Sequence, residues 1–209
     1  MSKPFVWAML ALSLQILAIV ILIPGNWTHK AVTSELALIN SGLGEETAKW
    51  VQDRASGWYT SAFIKTGIQE ETYRLFIPTD EQKHRSVGLE NMGDWWFPLV
   101  EDRLNGLFAT IYHLLVRVSL FVVWSPYMAL IFVPAIFDGL MMRSVKKTNF
   151  QYASPVIHRY GVRGVAFVVF SMVFAFTLPI ALDPRIIPIA LIVVAVCLGM
   201  IVSNMQKRI

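Results

Sequence analysis

Three features of the sequence predict an all-α integral membrane protein with four transmembrane helices and an α-helical extracytoplasmic segment between the first two. The chain holds four long apolar runs. It has no period-2 alternation long enough to argue a sheet. Its short charged stretches are strongly biased in sign. Of 209 residues, 56% are hydrophobic and only 15% are charged, against about 25% charged in a soluble domain. Mean hydropathy is +0.55. A small soluble domain has too little interior for so much apolar mass, which excludes an ordinary soluble enzyme and a disordered chain. The net charge of +4 and pI near 9.3 are modest for a nucleic-acid binder. The single cysteine, Cys197, rules out an intramolecular disulfide and all but rules out a cysteine zinc site.

Spanning helices need about 20 mostly apolar residues. Phe5–Ile23 is the first such run, interrupted only by Ser13 and Gln15. Its apolar core is longer than that of a cleaved leader, and Ile23-Pro24-Gly25-Asn26 is no small-residue cleavage site, so residues 1–23 read as an uncleaved signal anchor. Val118–Phe137 is the second run, Gly164–Leu182 the third and Ile186–Val202 the fourth. Only Asp183-Pro184-Arg185 separates the last two, which predicts a tight hairpin over residues 164–209. A helix from Leu104 through Phe137 would measure about 50 Å, so residues 104–138 are expected to stand out of the membrane as well as cross it.

Charge orients these elements. Residues 24–103 carry eight Lys/Arg against twelve acids, whereas 139–163 carry Arg143, Lys146, Lys147, Arg159 and Arg163 and no acid. Lys/Arg excess in short loops marks the cytoplasmic side. The expectation is therefore a bacterial inner-membrane protein with both termini and the basic loop 139–163 cytoplasmic, and the acidic segment 24–103 periplasmic. Four spans also place both termini together. The positive-inside bias and anionic headgroups account for the basic residues, and no direct nucleic-acid contact is expected.

In the outer segment, Val51, Ala55, Trp58, Tyr59, Ala62 and Phe63 fall on one face of a helix over Thr47–Thr66. That face either packs inside the protein or lies on the membrane interface, with internal packing favoured. A break is predicted across Asn40–Gly44, with a short helix before it at Val32–Ile39. Pro78–Gly93 reads as loop, and Trp95-Trp96-Phe97 as an interfacial aromatic belt.

No catalytic, cofactor or metal site is expected. A phosphate-binding loop, H-E-x-x-H and G-x-S-x-G are absent, and His29, His84, His113 and His158 lie in different segments. Arg117 and Asp138 mark the two ends of the second span. Arg117 reads as paired or snorkelling at the outer interface, so that Arg117→Leu costs at most modest folding yield; Asp138 reads as a cap or a partner of Arg143. Small residues recur at Ala195, Gly199 and Ser203 on the fourth span and at Ser171 and Ala175 on the third. They allow close helix approach, most simply to each other across the hairpin, or else at an interface with another subunit.

The C-terminal half carries Asp138-Gly139-Leu140 with Arg143, then Tyr152-Ala153-Ser154-Pro155 and His158, then a proline-containing hairpin ending near Gln206-Lys207. Over residues 95–209 this resembles the membrane proteins of integrating conjugative elements and conjugative plasmids. Ile157-His158 stands where that family tends to have an aromatic-His pair, and Arg159-Tyr160-Gly161 where it continues Ala-Lys-Arg. The resemblance implies a non-enzymatic envelope component of type IV secretion that accompanies the coupling ATPase or other secretion subunits. A homo-oligomer stays open, and the competing expectation is a small transporter or permease subunit. Because Pro155 fixes its own φ and biases Ser154 away from helix, residues 152–158 form a defined turn. Tyr152, Ser154, Pro155 and His158 are then candidates for docking the ATPase, with Arg143, Lys146 and Lys147 supplying electrostatic steering and lipid contact.

Overall fold

The computed structural model describes residues 3–77, 90–149 and 151–205; these are all-α, helices joined by short connectors, without a strand. In chain order the helices are α1 (Lys3–Leu22), α2 (Gly25–Leu43), α3 (Glu45–Tyr59), α4 (Ile68–Phe76), α5 (Glu90–Thr148), α6 (Pro155–Thr177) and α7 (Ile186–Ser203). One π turn, Thr60–Ile64, continues α3. Two compact units divide the chain. One comprises residues 1–120 with 177–183, the other 121–176 with 184–209.

Three helices, not four, are long and apolar enough to cross a bilayer among the described residues: Trp95–Thr148, Pro155–Thr177 and Ile186–Ser203. The expected first span forms α1, of which Val6–Ile19 is the described apolar stretch and is not among the three. The inference that both termini share a side rested on an even number of spans, and no longer follows.

In the first unit, α2 begins two residues after α1, where Pro24 holds an extended backbone. It is longer than the predicted Val32–Ile39. Its buried face is Gly25, Thr28, Ala31, Val32, Glu35 and Ile39, the three-and-four spacing of a helix packed on one side. The predicted break falls at Gly44, whose φ of 90° is the left-handed region that favours glycine. Val51 and Ala55 of α3 are fully buried. Tyr59 and Phe63 reach aromatic rings of α5: Tyr59 meets Tyr112 at 5.8 Å and Phe63 meets Phe108 at 6.2 Å. Internal packing therefore claims this face. The π turn inserts one extra residue per turn, and Ala62 ends up exposed. Trp58 instead stacks with Arg54, 5.6 Å from its ring centroid.

α5 is a single helix of 59 residues. It takes in Glu90–Gly93, the end of the predicted loop; residues 78–89 of that loop lie outside the described residues. Trp95 and Trp96 are exposed on it. They precede Val118 by about 33 Å of helix, too far for a belt at that span's boundary. The basic stretch 139–163 is also mostly helix, with only residues 149–154 between α5 and α6.

The second unit is built on close crossings. A Cβ on Gly139 of α5 would lie 2.9 Å from the Gly199 carbonyl oxygen and 2.9 Å from Cβ of Val202, both on α7. A Cβ on Gly199 would lie 3.5 Å from the Ala135 carbonyl oxygen on α5. The small residue Gly199 thus faces α5, not its hairpin partner. α6 uses other glycines: Gly161 abuts Ile201 and Cys197, and Gly164 abuts Cys197. Ala195 is buried, while Ser171, Ala175 and Ser203 are half-buried. Outward, the three helices present large apolar side chains, including Leu130, Val133, Phe167, Val169, Ile189 and Val196, as lipid-facing helices do.

Candidate functional site

Two polar clusters stand out in this apolar chain, one in each unit. The first centres on Glu35, on the buried face of α2 and 1% exposed. Its Oε1 accepts from Nε of Arg117 at 3.0 Å. Its Oε2 accepts from Nη2 of Arg117 at 2.7 Å, from Nε2 of His113 at 2.9 Å and from the Leu182 backbone N–H at 3.0 Å. The carboxylate can only accept, so it fixes the His113 tautomer with the proton on Nε2. His113 and Arg117 are four apart on α5 and so share a face, and each is 1% exposed.

Arg117 also completes the connector between α6 and α7. Pro179 cannot continue a helix and disfavours helix at Leu178, so α6 stops at Thr177, earlier than the predicted Leu182. Residues 178–182 then run irregularly, and their buried backbone groups need partners. Arg117 Nη1 donates to the Leu178 carbonyl at 2.7 Å, and Nη2 donates to that of Ile180. Nε1 of Trp27 donates to the Pro179 carbonyl at 2.9 Å. The connection is therefore longer than Asp183-Pro184-Arg185, and side chains of α2 and α5 hold it.

Burial raises the Glu35 pKa. The hydrogen bonds and charges of His113 and Arg117 outweigh that and hold its carboxyl below the ordinary range. With both oxygens occupied by protein donors, the group is suited to tying three elements together, not to handling a substrate. Of the two sequence readings, paired or snorkelling, Arg117 takes the first: it is buried and paired with Glu35. Sequence reasoning did not pair it with Glu35, 82 positions away.

The second cluster gathers around Asn204, just beyond α7 and 3% exposed. Its Oδ1 accepts from Lys146 Nζ at 2.9 Å and from the Ser154 N–H at 3.2 Å. Its Nδ2 donates to the Met200 carbonyl at 3.0 Å. Lys146 also donates to the Ser203 carbonyl at 3.3 Å. Ser154 Oγ accepts from the Ile157 N–H at 3.4 Å, capping α6, which Pro155 opens. His158 Nδ1 donates to the Ile201 carbonyl at 3.1 Å. Of the residues proposed from sequence for partner binding, Lys146, Ser154, Pro155 and His158 meet here, and they fasten the end of α7 to α5 and α6. Tyr152 is 79% exposed, Lys147 is exposed and Arg143 half-buried. Among the described residues no ion pair joins Asp138 to Arg143, and Asp138 is exposed. Nor do three or more His, Cys, Asp or Glu converge there as a metal could use them.

A model for IncC plasmid conjugative DNA transfer proteins of the DtrJ-like kind matches residues 27–209, which take in both clusters. The chain belongs to the DtrJ-like family. Its role lies in plasmid conjugation, as the resemblance carried by Asp138–Arg143 and Tyr152–His158 implies. The match begins at Trp27, the residue that donates to Pro179. No curated protein and no solved structure matches the chain.

Proposed function

We propose that this DtrJ-like protein is a non-enzymatic inner-membrane component of the conjugation apparatus, and that its basic cytoplasmic end docks the coupling ATPase. The observation that supports this most is the geometry of residues 151–154. Ser154 is pinned to Asn204 and caps α6, so the turn is preorganised, which lowers the cost of binding. Tyr152, 79% exposed, projects from it, beside exposed Lys147 and Arg159. An aromatic residue with flanking cations is the composition of an interface hot spot. Replacing Ser154 or His158 would unfasten α6 from α7, so those positions cannot test docking. The decisive variant combines Tyr152→Ala, Lys147→Gln and Arg159→Gln at matched membrane abundance. Co-purification of the coupling ATPase and DNA transfer are both expected to fall by about tenfold or more. Wild-type co-purification and transfer would exclude the turn as the dock.

The membrane placement in this reading has residues 24–103 periplasmic, with 139–163 and the C-terminal end cytoplasmic, following the charge split. With three spans, reporter fusions after residues 60, 150 and 205 are expected to read outside, inside and inside. A fusion at 150 reading outside would overturn the placement. The transporter alternative needs a cavity-facing polar group, and both oxygens of Glu35 are already taken by His113, Arg117 and Leu182.

A further inference from the structure

We infer that the junction of α5, α6 and α7 holds the headgroup phosphate of an anionic phospholipid at Lys146. The inference rests on the membrane reading above but not on the docking of an ATPase. Lys146 is partly buried, and its two partners, the Ser203 carbonyl and Asn204 Oδ1, are neutral oxygens. Its ammonium has three donors, and the structure shows two of them in use. A partly desolvated ammonium without a counter-anion is costly, and among the described residues no acid meets it. Residues 139–163 contain no Asp or Glu. Among the described residues, none of Arg143, Lys146, Lys147, Arg159 and Arg163 makes an ion pair.

The depth of the site selects a lipid. Exposed apolar side chains continue to Val145 on α5, begin at Val156 on α6, and the apolar run of α7 ends at Val202. Lys146, Ser154 and Ser203 lie one or two residues beyond those limits. Lys146 bonds the Ser203 carbonyl, one residue past the uncharged run of α7, while Arg143 and Arg159 already interleave with the apolar side chains of α5 and α6; the ammonium therefore sits where α7 leaves the hydrocarbon, which is headgroup level. Met141, Met142 and Val145 are exposed beside the cations on α5, and Val156, Ile157 and Tyr160 on α6. Cations interleaved with exposed apolar side chains match a molecule with an anionic head and acyl chains. A soluble anion or a nucleic acid would leave that apolar surface uncovered. Asn204 contributes by fixing Lys146 in place through hydrogen bonds to all three helices' ends.

The test uses the full chain reconstituted in bilayer nanodiscs or detergent, with phosphatidylglycerol titrated against phosphatidylcholine and retained lipid read by native mass spectrometry. Wild type is expected to prefer phosphatidylglycerol. Lys146→Gln lowers that preference about fivefold, the effect of one basic residue at a membrane surface, while Lys146→Arg retains it. Lys49→Gln, in the outer segment, leaves it unchanged. Should Lys146→Gln fail to fold, Arg143→Gln carries the same expectation, since it lies one turn before Lys146 and leaves the Asn204 contacts intact. Equal retention of both lipids, or an unchanged preference in the folded variants, overturns the site. So does binding of inorganic phosphate or of a single-stranded oligonucleotide that depends on Lys146 in the absence of any lipid preference. A chain that does not enter the bilayer at all would instead sink the membrane reading.

Discussion

Replacing Glu35 with alanine is expected to destabilise the first unit by about 3–5 kcal/mol, the cost of leaving one partner of a buried ion pair alone. Arg117 would keep its charge at 1% exposure, and the Leu182 N–H and His113 Nε2 would lose their acceptor. Arg117→Leu is expected to be comparably severe, because it strands the Glu35 carboxylate and frees the carbonyls of Leu178 and Ile180. The local signature is release of residues 178–182, measured as protease cleavage in that connector at temperatures where the wild type resists. Combining Glu35→Ala with Arg117→Leu should cost much less than the sum of the two single changes, since each removes the other's stranded charge. Additive losses would show that the pair does not act as a unit. The pH dependence follows from the same contacts. Because the folded carboxyl is held below its ordinary value of 4.5, its stabilising contribution is complete above that pH. It is lost as pH falls through the lower, folded value. The stability gap between wild type and Glu35→Gln should therefore stay constant from neutral pH to near 4.5 and narrow below it. A gap that narrows as pH rises would contradict the node.

Much of this architecture is legible from local chemistry. The break at Gly44, the last two apolar helices and the length of α5 beyond a single span follow from turn chemistry, hydropathy and helix rise. What is less legible depends on contacts distant in sequence. Glu35 looks like one of twelve acids in a polar segment. Its place among Thr28, Ala31, Val32 and Ile39, on the buried face of α2, is the signal that sets it apart, since a lone carboxylate on a packed face needs a cation. Pro179 looks like the end of a spanning helix, yet it lies in a five-residue segment, 178–182, whose backbone is held by Trp27, Glu35 and Arg117. The partner of Gly199 could not be read from small-residue spacing, because that spacing marks a face and not what lies across it. The basic turn was legible as a turn; that Ser154 and His158 point inward while Tyr152 points outward is a property of the α7 end they bond.

Gly139→Ala is expected to destabilise the second unit by about 1–3 kcal/mol, the usual cost of forcing extra carbon into a packed contact. The direction is the informative part. In a helix interior, exchanging glycine for alanine ordinarily gains about 0.5–1 kcal/mol by restricting the unfolded chain. Gly57 on α3 meets nothing within 4 Å of an added Cβ, so Gly57→Ala should show that gain. At Gly139 the added carbon would lie 2.9 Å from the Gly199 carbonyl oxygen and 2.9 Å from Val202 Cβ. Neither is the tip of a flexible side chain, so α5 and α7 must move apart. Separation forfeits the backbone-level packing that small residues permit between apolar helices in lipid, where no hydrophobic force draws them together. It also reaches the polar cluster: Lys146 follows Gly139 by two turns of the same helix, and its bonds to Asn204 and Ser203, at 2.9 and 3.3 Å, have little room to lengthen. Thermal unfolding of both alanine variants in one detergent should move the midpoint in opposite directions, down for Gly139→Ala and up for Gly57→Ala. The Gly139→Ala protein should also lose part of the phosphatidylglycerol preference that Lys146 confers. If both variants shift upward together, α5 and α7 do not cross at Gly139.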